Sequence, residues 1–142
     1  MNRLARFLLC GALMAFAGIT RAGAEALCAI SEPQVIELAR SRNITRAAAS
    51  MEHLSGRMEG AIVAVGNAPT ALWKIMEIAA SGGPKPALVV GLPVGFVGAR
   101  ESKLALIDSG LCYIANTSPR GGSAVAAAAV NALALLSKEN NA

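Results

Sequence analysis

The strongest constraint in this sequence is a pattern that occurs three times after residue 60: a short apolar run, a loop containing glycine, and a helix-forming segment. The apolar runs, rich in β-branched residues, are typical of strands buried on both faces of a sheet. The predicted strands are 61–65, 87–92 and 111–115, and the predicted helices are 71–80, 99–109 and 123–137. Successive strand–helix units give parallel strands with right-handed crossovers. The sequence therefore predicts a three-layer α/β/α fold with a parallel sheet.

Two further helices are predicted before the first repeat. Ser31 is suited to cap a helix that continues to Arg40, and Pro33 fits its first turn. A second helix is expected from Thr45 to about Leu54, ahead of a glycine.

The first thirty residues allow two interpretations. Basic residues before the apolar run 7–19, and small residues at 22–24, have the layout of a secretory signal peptide. That run is too short to span a membrane, which takes about 20 residues. Alternatively, 7–14 is a buried strand or helix of the domain itself. We therefore expect a degenerate or truncated segment at 1–30, a domain at 31–138, and a tail at 139–142.

The amino-acid composition limits the kinds of partner that this chain can have. The chain is 54% hydrophobic and 15% charged, against roughly 25% charged residues in an average soluble domain. Much of its surface must lie inside the fold or beneath a partner subunit. The net charge of +4 is dispersed, and aromatic residues make up 4% of the chain, so neither a basic patch nor a stacking platform is predicted. We expect no nucleic-acid partner and no membrane span.

Cysteine and histidine are too sparse for a metal site. Cys10, Cys28 and Cys112 are widely spaced, and His53 is the single histidine. This spacing predicts neither a zinc site nor a disulfide framework. Buried free thiols in a reducing compartment are expected, which favours a cytoplasmic location.

The three glycine-containing loops are candidates for a binding site. Loops that follow parallel strands meet at the carboxyl edge of the sheet, where ligands of such folds bind. Any one loop could be only a tight turn, but three together favour a small-molecule site. The segment 95–98 lacks the order of a dinucleotide-binding motif, and Lys103 follows it at the wrong spacing for a phosphate loop. Ser123 has no evident histidine partner for nucleophilic catalysis.

Four segments resemble the precorrin-8X methylmutase family in its own chain order. They are TRAAA (45–49), GAIVAVGNAPTAL (60–72), GLPVGFVGARESK (91–103) and RGGSAVAAAAVNAL (120–133). Upstream, Met14, 18–21 and Cys28 are similar to another element of that family, which favours domain sequence over a signal peptide for 7–30.

The resemblance implies a step of cobalamin (vitamin B12) biosynthesis. The family moves a methyl group from C11 to C12 of a corrin-precursor ring, converting precorrin-8X to hydrogenobyrinate or the cobalt analogue. It needs no cofactor, and its three-layer α/β/α domain dimerises and binds the tetrapyrrole in a cleft that the subunits line. The implied partners are a tetrapyrrole and a second copy of the chain, or a complementing N-terminal fragment.

The resemblance also suggests the residues that line the site. Arg46 matches an arginine near the substrate, and helix N-terminal amides are further carboxylate holders. The expected substrate-binding residues are Arg46, Asn67, Thr70, Gly95 and Ser123. At glycine the ring can approach the main chain closely.

No catalytic residue is predicted in this chain. The catalytic histidine of the family belongs to an R-M-I-H-x-T-G-D segment that does not occur here, and His53 does not match it. The family's N-terminal third is expected to be missing. Two alternatives follow: a methylmutase, alone or completed by a second polypeptide that carries the histidine, and a non-catalytic fragment or paralogue that binds a tetrapyrrole.

Overall fold

The computed structural model describes residues 7–10 and 26–140. The expected cleavage site at 22–24, the family-like residues 14 and 18–21, and the last two residues of the tail lie outside them. The strands are β1 Phe7–Cys10, β2 Ala26–Cys28, β3 Ile62–Val65, β4 Leu88–Gly91 and β5 Tyr113–Ala115. They form one sheet in the order β2-β1-β3-β4-β5, and every neighbouring pair is parallel. The predicted parallel sheet is confirmed, with each predicted strand shorter by one or two residues.

The first strand occupies the interior of the sheet. Phe7 pairs with Ala26 on one side and with Ile62 on the other. The segment 7–10 is therefore a strand rather than a helix, and it joins β2 to the three strand–helix units.

The helices follow their predicted order with shifted ends. They are α1 Pro33–Arg42, α2 Arg46–His53, α3 Pro69–Ala80, α4 Ala99–Asp108 and α5 Ser123–Asn140, with a 3₁₀ turn at Ser55–Arg57. The predicted cap at Ser31 is wrong, because Glu32 occupies the N-cap position and Pro33 starts the helix. Helix α1 also runs two residues beyond Arg40, to Arg42. It is followed by the C-cap Asn43, whose left-handed conformation (φ 53°) ends the helix. Helix α5 extends to Asn140, two residues into the predicted tail.

Alternating residues of β3 and β4 build two cores. On one face, Val63, Val65 and Val89 pack with side chains of α1 to α4, including Met51, Ile75 and Leu106. On the other face, Ala64, Val90 and Leu92 pack with Ala126 and Val130 of α5. Each fully buried valine contributes about 1.5 kcal/mol. Because helices cover both faces of the sheet, the three-layer α/β/α architecture is confirmed.

Among the residues that the structure describes, no helix is both long enough and apolar enough to cross a bilayer.

Candidate functional site

Three loops leave the carboxyl ends of β3, β4 and β5 and meet at one edge of the sheet. The second and third are joined by backbone hydrogen bonds: Gly122 donates to the Leu92 carbonyl at 2.9 Å, and Gly95 to the Pro119 carbonyl at 3.1 Å. The first loop touches the start of α5, since a Cβ added to Gly66 would lie 2.8 Å from the Ser123 Cα. The loops therefore form one continuous surface.

Helix N-termini border this surface. Thr45 caps α2, because its Oγ1 accepts a hydrogen bond from the Ala48 amide at 3.1 Å. The same Oγ1 lies 2.7 Å from Thr70 Oγ1, so α2 begins beside the start of α3. A Cβ added to Gly98, the N-cap of α4, would lie 3.7 Å from Pro69 Cβ. The positive ends of these helices are thus collected beside the loops.

The five predicted site residues all lie in these loops or in the first turns of these helices. Arg46 is the exposed first residue of α2, and Thr70 is exposed at the second position of α3. Asn67 is exposed in the first loop. Gly95 adopts φ 140°, a conformation that favours glycine, and Ser123 is the half-buried first residue of α5. The structure brings them to one edge; their contact with a ligand stays a prediction.

The second and third loops approach each other closely at Gly121. A Cβ added there would lie 2.2 Å from the Leu92 carbonyl oxygen and 2.6 Å from that of Pro93. Both neighbours are backbone atoms, which cannot rotate away as a side chain can. Glycine at this position therefore sets the spacing between the second and third loops.

A buried lysine holds the third loop from beneath. Lys103 of α4 has no exposed surface, and among the residues whose burial the structure describes it is the largest fully buried side chain. Its ammonium donates to Asn116 Oδ1 and to the Ser118 carbonyl, both at 2.8 Å, and to the Arg120 carbonyl. Burial lowers the pKa of Lys103 from its ordinary value of 10.5, because desolvation disfavours the charged ammonium.

The exposed charges around the loops are mostly positive. The loops and the helix starts beside them carry three exposed arginines, Arg46, Arg100 and Arg120, and one exposed carboxylate, Glu101. Arg100 is held by a hydrogen bond from its Nε to the Thr117 carbonyl at 2.9 Å. This balance suits a ligand with several carboxylates.

The tip of the second loop is apolar. Phe96 is 98% exposed and Val97 is 91% exposed, so neither belongs to a core of the described chain. They form an exposed apolar tip on the loop after β4, the kind of surface that apolar ligands contact.

The single histidine lies away from these loops. His53 is the last residue of α2, and its Nε2 is 3.0 Å from Glu32 Oε2. The eight residues of α2 put about 12 Å between it and the helix start at Thr45. Cys28 and Cys112 are not joined in a disulfide, but the expectation that they are buried is wrong: Cys112 is exposed just before β5, and Cys28 is half-buried.

Sequence reasoning missed the roles of Lys103, Asn116 and Arg120 in shaping the site. A lysine in a helix is normally read as a solvated charge. The buried positions of α4 are Ala99, Ser102, Lys103 and Leu106, which follow the i, i+3, i+4, i+7 spacing of a core-facing stripe. That spacing is the signal that could have placed Lys103 inside.

Comparison with known proteins agrees with this geometry. The family model for precorrin-8X methylmutase matches residues 5–136. The chain is 48% identical to a precorrin-8X methylmutase of Pseudomonas aeruginosa, over 89% of this chain and 64% of that protein. It is 51% identical to a cobalt-precorrin-8 methylmutase of Methanothermobacter thermautotrophicus, over 79% of this chain and 54% of that protein. It thus spans between about half and two thirds of the length of these relatives.

Solved structures show the same architecture. A structure described as a precorrin-8X methylmutase related protein superposes with a TM-score of 0.86 at 30% identity, covering 96% of this chain and 74% of that one. On its sequence match and its fold, the chain belongs to the precorrin-8X methylmutase family.

Proposed function

We propose that this chain acts as a precorrin-8X methylmutase, an isomerase that moves a methyl group from C11 to C12 of the ring to give hydrogenobyrinate in cobalamin biosynthesis. The observation that supports this most is the convergence of three loops and several helix N-termini at one edge, with exposed arginines beside an apolar loop tip. The fold and sequence of the family support the same reading.

The chemistry of the ring matches the parts of this edge. Peripheral carboxylates would bind Arg46 and helix N-terminal amides, with Asn67, Thr70 and Ser123 as polar lining. The flat face of the ring would lie against the main chain at Gly95 and against the exposed side chains at Phe96 and Val97. Since the reaction is an isomerisation, no atom enters or leaves, and the proposal needs no cofactor. The related enzymes carry the names of both the cobalt-free and the cobalt-containing substrate, so both are to be tested.

A second copy of the chain is part of the proposal. Exposed apolar residues form a stripe along one side of α5, without a charged residue among them. They are Ala124, Val125, Ala128, Ala132, Leu135 and Leu136. An apolar stripe of this kind is typical of a protein interface, and it is compatible with a homodimer. Cys28 and Cys112 form no disulfide within the described part of the chain, which is compatible with a cytoplasmic location.

One observation favours a second candidate function. The histidine that the family uses as an acid has no counterpart at this edge, because His53 lies at the far end of α2 with Glu32. The chain would then bind the tetrapyrrole without turnover, or would need a second polypeptide that supplies a histidine.

Turnover by the purified chain separates the two. We expect precorrin-8X or cobalt-precorrin-8 to be converted, followed by the change in ring absorption and by mass-neutral product formation. Binding without turnover, restored by an added polypeptide carrying the family's histidine segment, would support the second candidate. Neither binding nor turnover would reject both.

Substitution of the arginine at the start of α2 tests one of the predicted substrate contacts directly. Arg46→Gln is expected to raise KM at least about 10-fold, because it removes a charge-assisted hydrogen bond to a carboxylate. Arg40→Gln is the matched control, since Arg40 is an exposed arginine of α1 that lies 3.9 Å from Glu37. Equal kinetics for Arg46→Gln and wild type would remove Arg46 from the site.

A further inference from the structure

Lys103 is placed where a charged side chain is costly. It is fully buried, and its three partners are neutral oxygens: the Asn116 side-chain amide and the carbonyls of Ser118 and Arg120. When an ammonium is buried without a carboxylate partner, only hydrogen bonds to neutral oxygens offset its lost hydration. An apolar residue of similar volume would avoid that loss. The role of Lys103 is therefore in the geometry of the loop rather than in the stability of the fold.

All three partners belong to the loop between β5 and α5. Asn116 Oδ1, besides accepting from Lys103, is 3.3 Å from the Ser118 amide, and Asn116 Nδ2 donates to the Arg120 carbonyl at 3.1 Å. The Arg120 amide donates to Ser118 Oγ at 3.1 Å. The ammonium thus sits at the centre of a closed network that fixes the backbone of the loop.

This network determines what the loop presents at the surface. The Arg120 carbonyl is drawn inward by two donors, Lys103 and Asn116, while the Arg120 side chain is exposed. Directly after Arg120, Gly121 and Gly122 pass against Leu92, and α5 begins at Ser123. A shift of the loop would move the guanidinium and the first amides of α5 together.

We propose that Lys103 is a positioning residue: its buried ammonium fixes the loop between β5 and α5 so that Arg120 receives a carboxylate of the ring. This deepens the proposed function and rests on it for the identity of the ligand. Lys103 touches no ligand in this assignment, and it acts through Arg120.

A double-mutant cycle tests the assignment in the purified full chain. The probe is hydrogenobyrinate, with the same ring carrying amidated side chains as the uncharged comparison. Lys103→Met and Arg120→Gln are each expected to weaken hydrogenobyrinate binding about 10-fold, and the double variant is expected to be no weaker than either. Binding of the amidated ring should not change. Lys74→Met is the control, because Lys74 is a half-buried lysine of α3 paired with Glu77 at 3.1 Å.

Three results overturn the proposal: unchanged binding by Lys103→Met, independent effects that multiply in the double variant, or an equal loss for the amidated ring. If Lys103→Met does not fold, Asn116→Ala replaces it in the same cycle, because Asn116 joins Lys103 to Arg120.

Failure of the proposed function gives a different result. If the wild-type chain binds neither ring, the proposed function falls, and amide hydrogen exchange of 116–122 tests Lys103 without a ligand. Exchange there should be faster in Lys103→Met, or in Asn116→Ala, than in wild type. Equal exchange would reject the positioning role.

Discussion

At the scale of single residues, the backbone contacts of glycine and the buried ammonium have the clearest consequences. Gly121 approaches the Leu92 carbonyl too closely for any side chain, whereas Gly56, in the 3₁₀ turn, has nothing within 4 Å of an added Cβ. The two glycines therefore form a matched pair for measuring how tightly the loops are packed.

Gly121→Ala is expected to lower the free energy of unfolding by about 1–3 kcal/mol, since the two carbonyls must move apart to admit a methyl group. Gly56→Ala should change it by less than about 0.5 kcal/mol. Urea denaturation of both variants provides the comparison. A similar value for the two would show that the loops have room at Gly121.

Lys103 predicts a pH dependence of stability. In the fold its pKa is lowered by burial, while the unfolded chain keeps the ordinary value of 10.5. Between these two values the unfolded state binds more protons, so this group adds stability as the pH rises. We expect the free energy of unfolding of wild type, measured relative to Lys103→Met by urea denaturation, to be higher at pH 10 than at pH 8. A constant difference would contradict the lowered pKa.

At the scale of elements, the helix starts were the more predictable part of the site. Helix α2 was expected to begin at Thr45, and in the structure Thr45 is the N-cap of a helix that begins at Arg46. Ser31 misled because Pro33 takes the first helical position, which makes Glu32 the cap without any side-chain hydrogen bond. A favourable cap residue therefore does not fix the start of a helix when a proline two residues later takes the first helical position.

The cap of α2 also joins two elements. Thr45→Val keeps the shape of the side chain but removes its hydrogen bonds to the Ala48 amide and Thr70. We expect the free energy of unfolding to fall by about 1 kcal/mol. Ser41→Ala is the control, since the Ser41 hydroxyl donates to the Leu38 carbonyl within one helix and on an exposed surface. Thermal denaturation should show a lower Tm for Thr45→Val alone.

At the scale of the whole molecule, local patterns predicted the layers but not the complete sheet. The three strand–helix units have continuous apolar runs, so periodicity identified them. Strands β1 and β2 have four and three residues, and their places depend on pairing with distant segments. The burial of Lys103 follows the local periodicity of α4, but its hydrogen-bond partners belong to a loop after the next strand, so its role was not predicted. Sequence patterns capture local periodicity, whereas strand order and side-chain partners arise from tertiary contacts.

The exposed stripe of α5 leads to a prediction about assembly. Leu135 and Leu136 are 42% and 55% exposed, and a second copy packed on them would exclude water from both. The paired change of Leu135 and Leu136 to Glu is expected to shift a dimer to the monomer in light scattering coupled to size exclusion. Leu104→Glu, at a 37% exposed leucine of α4, is the control. A dimer that survives the paired change would place the interface elsewhere.

The interior position of β1 also shapes how the chain folds. β1 is synthesised before β3, so the pairing of Phe7 with Ile62 can form only after β3 has also been synthesised. Closing that long loop costs more conformational entropy than joining β3, β4 and β5, which follow one another along the chain. Until the closure occurs, the edge of β3 is unpaired and open to other chains. A slower closure therefore leaves this edge exposed for longer and gives aggregation more time to compete with folding.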